Sequence, residues 1–150
     1  MNALRATLFA CACVLATACA PKLIPNTQIV DNRDNRDILQ LVQKYREAYA
    51  ARDAEGITAL VSDDYLDKRA GISKRVLEEQ LAEDFSRVRE LQLELTVRRI
   101  EVKDDQAQVD YFYSTSYLLD VPDAKWETRT DDKRMHLTRT SEGWRVISGL

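Results

Sequence analysis

The chain has 150 residues, of which 45% are hydrophobic and 31% charged, and its formal net charge is −3. This length and composition predict one folded domain with one core, and the slightly acidic balance excludes the basic footprint of a nucleic-acid-binding protein. All three cysteines lie in the first nineteen residues and there is one histidine. The folded body therefore has no thiol for a disulfide, a thiolate metal site or a cysteine nucleophile, and we expect neither a metal nor a cofactor.

The first eighteen residues have the pattern of a secretion signal. Arg5 supplies a positive charge, and residues 6–18 form an uncharged apolar run that is too short to span a bilayer as a helix. Residues 15–19, Leu-Ala-Thr-Ala-Cys, resemble the lipobox of bacterial lipoproteins. The resemblance implies cleavage before Cys19, lipid attachment at Cys19 and a membrane anchor facing the periplasm. Ala20, where an aspartate often signals inner-membrane retention, resembles the outer-membrane class. The alternative is ordinary cleavage after the Ala-Thr-Ala triplet, which releases a soluble periplasmic protein.

Residues 19–37 are predicted to be the lipidated N-terminus and a polar tether. They contain Pro21, Pro25 and a doubled Asp-Asn-Arg triplet at 31–36, and they show no hydrophobic period. The folded domain is therefore predicted to span residues 38–150.

Three helices are predicted at the start of this domain. Apolar residues recur at helical spacing over residues 38–52, and Asp34, Asn35 or Asp37 is the expected N-cap. Asp53 is the expected cap of a second, short helix. Ser73 is the expected cap of a third, whose apolar face continues to Val88.

Four strands are predicted after the helices. From Leu91 the hydrophobic period changes to two, and later strands are expected to begin at Val109, Trp126 and Trp144, separated by short polar turns. Short turns between consecutive strands favour an antiparallel meander. The pattern therefore predicts an α+β fold, with three N-terminal helices packed on one face of a four-stranded antiparallel sheet.

Two segments carry a resemblance to a known family. Residues 49–57, Tyr-Ala-Ala-Arg-Asp-Ala-Glu-Gly-Ile, with Asp63-Asp64-Tyr65 after them, are similar to the opening of nuclear transport factor two-like and SnoaL-like domains. Residues 135–147, with a tryptophan after a polar turn, resemble their closing hairpin. The resemblance covers residues 36–150 and implies the cystatin-like cone fold, with a curved sheet. It does not imply one function, because this scaffold hosts isomerases, dehydratases, cyclases and adaptor proteins.

The resemblance places any pocket in the cone between the sheet and the helices, so inward-facing aromatic residues are the candidates for its lining. These are Tyr45, Tyr111, Tyr113, Tyr117, Trp126 and Trp144. The alternative is that they only pack the core, since aromatic side chains supply a large buried area.

Catalytic relatives place an aspartate or a histidine deep in the cone, and His136 and Asp110 are the weak candidates for that role. Simple alternation puts both on the face opposite their apolar neighbours, which predicts a surface position and no catalytic residue. A strand bulge would reverse this placement.

The sequence thus predicts a lipid-anchored envelope protein whose domain is a binding or assembly module, and it leaves catalysis open. The alternatives are a SnoaL-like enzyme and a carrier, each acting on a small hydrophobic molecule in the cone. The second face of the sheet is predicted to be unusually apolar, which favours a homodimer or an envelope protein partner. The apolar residues assigned to that face are Ile100, Val102, Phe112, Leu118 and Ile147.

Overall fold

The fold is given by a computed structural model that describes residues 21–150, so the predicted signal peptide and the predicted lipid attachment point, Cys19, lie outside the described residues. The elements in chain order are α1 (Arg33–Ala50), α2 (Ala54–Thr58), β1 (Leu66–Asp67), β2 (Ile72–Ser73), α3 (Lys74–Ser86), β3 (Val88–Lys103), β4 (Gln106–Leu119), β5 (Glu127–Thr140) and β6 (Gly143–Ser148). Three helices followed by a four-stranded antiparallel sheet confirm the predicted α+β class. No helix in this part of the chain is long and apolar enough to cross a bilayer.

The segment before α1 is folded, which corrects the tether predicted over residues 19–37. Leu23 and Val30 form an antiparallel bridge, and Ile29 between them is buried. The side-chain amide of Asn35 donates a hydrogen bond of 2.8 Å to the carbonyl oxygen of Val30 and fastens this hairpin to α1. The polar residues that predict solvation instead form turn and cap hydrogen bonds, so the folded domain begins well before residue 38.

Each helix begins at a side-chain cap. Asn32, Asp53 and Ser73 each accept a hydrogen bond from the backbone N–H three residues further along the chain. Such a cap stabilises a helix by about 1 kcal/mol. Asp53 and Ser73 are the predicted caps. The first cap is Asn32 rather than Asp34, Asn35 or Asp37. The helix begins earlier than predicted because residues of the Asp-Asn-Arg repeat form its first turn, before the apolar residues start.

A bulge in β3 determines which side chains face the helices. The strands pair in the order β3-β4-β5-β6, and Arg98 is skipped in the pairing of β3 with β4. Because one extra residue reverses the alternation, Ile100 and Val102 face inward and pack against the core. Their predicted position on the outer face is wrong for this reason.

The outer face of the sheet is more polar than predicted. Phe112 lies on this face with the guanidinium of Arg98 5.4 Å from its ring centroid, and Leu118 is buried rather than exposed. Ile147 is the extra residue of another irregularity, where β6 pairs with β5. A partner that binds this face stays a prediction. The exposed apolar area that favours such a partner is smaller than the sequence indicates.

The core lies between the inner face of the sheet and the helices. Its largest fully buried side chains are Ile38, Ile57, Val109, Met135, Leu137 and Val146. After α2, Val61 pairs in parallel with Val146 and covers the outer edge of β6. Since β6 pairs only with residues 136–140 of β5, the first half of β5 forms a margin of the cone in the described part of the chain.

Candidate functional site

A cavity of about 210 Å³ lies between the inner face of the sheet and helices α1 and α3. Tyrosine residues line it from two sides: Tyr45 and Tyr49 from α1, and Tyr111 and Tyr113 from β4. Most of the remaining wall is aliphatic and includes Ile57, Ile72, Leu77, Leu81, Leu93, Leu95 and Leu150. The cavity is therefore mainly apolar, with phenol groups on both its helix wall and its sheet wall.

The two periodicities of the chain bring these tyrosines together. Tyr45 and Tyr49 are four residues apart and share one face of α1, whereas Tyr111 and Tyr113 are two apart and share the inner face of β4. The rings of Tyr45 and Tyr49 have centroids 5.8 Å apart, and Tyr49 meets Phe85 edge-on at 5.3 Å. These aromatic contacts hold the helix side of the cavity in place.

The phenol groups in the cavity are hydrogen-bond donors at neutral pH. Burial raises the pKa of Tyr45, Tyr49 and Tyr111, and the neighbouring tyrosines raise it further for Tyr45 and Tyr111. For an acid a raised pKa favours the neutral form, so these hydroxyls keep their protons. Tyr111 donates to the backbone oxygen of Gly149 at 3.0 Å. Within residues 21–150 the Tyr45 hydroxyl has no such partner and is available to a ligand.

Two charged residues line the cavity, one of each sign. Lys133 on β5 is half-buried, and its Nζ atom lies 5.2 Å from the centroid of the Tyr113 ring. Asp84, near the end of α3, is exposed to solvent. The cation is therefore the more desolvated of the two.

Three of the six aromatic residues predicted to line the cavity do so, namely Tyr45, Tyr111 and Tyr113. Tyr117 lies further along β4 and donates a hydrogen bond of 2.7 Å to Glu127. Trp126 is 46% exposed, because it belongs to the loop before β5 and not to the strand. Trp144 is buried in the core, with the guanidinium of Arg139 4.4 Å from its ring centroid.

His136 and Asp110 lie on the outer face, away from the cavity. Met135 and Leu137 on either side of His136 are fully buried, which places His136 opposite the core. Asp110 accepts two hydrogen bonds from the Arg134 guanidinium, at 2.6 and 3.0 Å, and these hold its pKa below the usual range. Both residues belong to an open groove of paired surface charges.

Sequence reasoning missed Tyr49, Asp84 and Lys133. Tyr49 follows Tyr45 by one helical turn, so the signal was present in the spacing. Lys133 alternates with the buried Met135 on β5, which indicates an inward position. Its charged neighbours in the sequence, however, are typical of a solvent-exposed strand. No cluster of three metal-ligating side chains occurs among the residues that the structure describes.

A cone-shaped sheet that encloses a ligand-sized cavity together with N-terminal helices defines the nuclear transport factor 2-like class of domains. The sequence matches the SnoaL-like domain family over residues 38–149, and the chain belongs to that family. Comparison with curated proteins finds no match.

Several solved structures share the fold. A conserved protein from Planctomyces limnophilus has a TM-score of 0.69 and 15% identity, over 77% of this chain and 92% of the other. A ketosteroid isomerase-like protein from Erwinia carotovora has a TM-score of 0.66 and 16% identity, over 79% of this chain and 95% of the other. A candidate dehydratase of the NTF2-like family from Streptomyces avermitilis has a TM-score of 0.64 and 16% identity, over 77% and 93%. At these identities the likeness establishes the fold alone.

Proposed function

We propose that this domain binds a small, mainly apolar molecule in the cavity between its sheet and its helices. The observation that carries the proposal is the cavity itself. Protein interiors are close-packed, with few voids larger than one water molecule, whereas this space measures about 210 Å³ and is faced by the free hydroxyl of Tyr45. A concave, mainly apolar lining with a few polar groups is the usual chemistry of a small-molecule site, and the volume, below the usual range of about 300–1,000 Å³, suits a small ligand.

The volume limits the size of the ligand. An apolar cavity of about 150 Å³ holds one benzene molecule, so a cavity of about 210 Å³ accommodates one ring with a short substituent. The phenol groups supply hydrogen bonds to an oxygen atom on that ligand. A fused polycyclic molecule would not be fully enclosed without movement of the helices.

The groups in the cavity favour binding over catalysis. Proton abstraction needs a base within hydrogen-bond reach of the substrate, and both His136 and Asp110 lie on the opposite face of the sheet. The tyrosine phenols are protonated, so they donate hydrogen bonds and cannot abstract a proton. An enzyme built on this cavity, as the isomerase-like and dehydratase structures suggest, would draw on Asp84, a solvated carboxylate at the rim, or on Lys133.

We further propose that the domain acts at the cell envelope, held by a lipid on Cys19. The support for this location is the apolar leader over residues 6–18 and the lipobox-like residues 15–19. A cysteine directly after a small-residue cleavage site is typical of a lipid attachment point.

The test is a calorimetric titration of the purified full chain with p-cresol, a neutral single-ring probe. Leu93 lines the cavity and Leu91 does not, although both lie on the inner face of β3. We expect the wild-type protein to bind p-cresol, Leu93→Trp to weaken binding at least about tenfold, which is ~1.4 kcal/mol, and Leu91→Trp to leave it unchanged. No binding by the wild type, or equal binding by both variants, would contradict the proposal.

A further inference from the structure

We infer that the ligand of this cavity carries an anionic group, such as a carboxylate, that binds Lys133 at the rim while the ring enters between the tyrosines. This inference rests on the proposed function, since it specifies the chemical class of the molecule that the cavity takes. It depends on the position of Lys133, on its lack of an ion-pair partner and on the donors around it.

The fold places Lys133 over the opening of the cavity. The residue lies on β5 opposite Tyr111, and it alternates with the fully buried Met135, so it faces inward. Its Nζ atom lies over the Tyr113 ring, which favours a cation there and holds the long side chain above the cavity instead of extended into water.

Lys133 is not neutralised by the protein. Two neighbouring cations of the sheet have carboxylate partners: Arg134 pairs with Asp110, and Arg98 with Asp132. Within the described residues Lys133 forms no ion pair within 4.0 Å. A half-buried ammonium group without a partner is a ready site for an external anion.

The hydrogen-bonding groups around the cavity also suit an anion. A carboxylate only accepts hydrogen bonds, and lysine ammonium and protonated tyrosine hydroxyls donate them. Two acidic residues lie nearby, Asp84 on the rim and Asp131 two residues before Lys133 on the same strand. Both carboxylates are exposed, so water and salt screen their repulsion of an anionic ligand. The attraction between that ligand and Lys133 is screened less.

The experiment compares two probes of the same shape, 4-methylbenzoate and 4-methylbenzyl alcohol, by calorimetric titration of the full chain at pH 7. We expect the wild type to prefer the carboxylate about tenfold. Lys133→Gln should reduce this ratio to about one, and Lys133→Arg should restore most of the preference. Lys103→Gln, the same change at an exposed lysine at the end of β3, is the matched control and should behave as the wild type.

The outcomes separate this inference from the proposed function. Equal affinity of the wild type for the two probes, or an unchanged preference in Lys133→Gln, would overturn the anionic ligand and leave the cavity as a binding site. Failure of both probes to bind would overturn both. A preference that declines as salt rises from about 50 to about 500 mM would support a direct charge interaction.

Discussion

Substitution of Gly149 by alanine tests how the end of the described chain closes the cavity. Gly149 has a φ of +91°, and an added Cβ would lie 2.0 Å from the backbone oxygen of Arg134. The backbone must therefore move. Movement also breaks the hydrogen bond of 3.0 Å from Tyr111 to Gly149 and displaces Leu150 from the cavity wall.

The magnitude follows from three contributions. Left-handed backbone costs a residue with a Cβ roughly 1–2 kcal/mol, and the lost hydrogen bond costs about 1 kcal/mol. Release of the half-buried Leu150 costs about 1 kcal/mol, which is half of the burial energy of a leucine side chain. The free energy of unfolding should thus decrease by roughly 3–4 kcal/mol.

Gly71→Ala is the matched control. Gly71 also has a positive φ, +70°, but nothing lies within 4 Å of an added Cβ. Only the backbone cost of roughly 1–2 kcal/mol applies there. Urea denaturation followed by tryptophan fluorescence measures both variants, and Gly149→Ala should be less stable than Gly71→Ala by about 2 kcal/mol. Equal stability of the two variants would refute the role assigned to the Gly149 contact.

Three further outcomes are expected. Asp110→Asn and His136→Ala should leave the affinity for p-cresol unchanged in calorimetry, because both residues lie on the outer face; a tenfold loss in either would reopen their catalytic role. The Arg139 guanidinium holds the pKa of Asp34 below its usual 3.8, so this pair stabilises the fold above about pH 4, and that stability is lost as the pH falls through the lowered pKa. Urea titrations at pH 6 and 3 should therefore show a smaller acid loss in Asp34→Asn than in the wild type. Cys19→Ser should abolish incorporation of radiolabelled palmitate in bacteria, and continued labelling would place the lipid elsewhere.

Much of the fold follows from periodicity. Tyr45, Tyr111 and Tyr113 occupy predicted positions because helix and strand alternation fix which face each side chain lies on. Alternation also places His136 and Asp110 outside the core. These inferences need only local pattern, and local pattern is strong where one face of an element is buried.

The errors arise where a single residue changes the register or a polar residue takes a structural role. The extra residue Arg98 turns Ile100 and Val102 inward, and the sequence carries no separate signal for such a bulge. The predicted tether is folded because Asn32 caps α1 and the side chain of Asn35 donates a hydrogen bond to the backbone oxygen of Val30. The sequence alone does not show where these backbone groups lie. The Lys133 ammonium group lies over the ring of Tyr113, which is on another strand, and the sequence alone does not show this contact.

The folded hairpin before α1 limits how far the domain can stand from a membrane. Its backbone hydrogen bonding starts at Lys22, whose carbonyl oxygen accepts from Asp31. A lipid on Cys19 would be joined to this point by three residues, which extend to at most about 11 Å. The domain would then rest close to the lipid headgroups with little freedom to rotate.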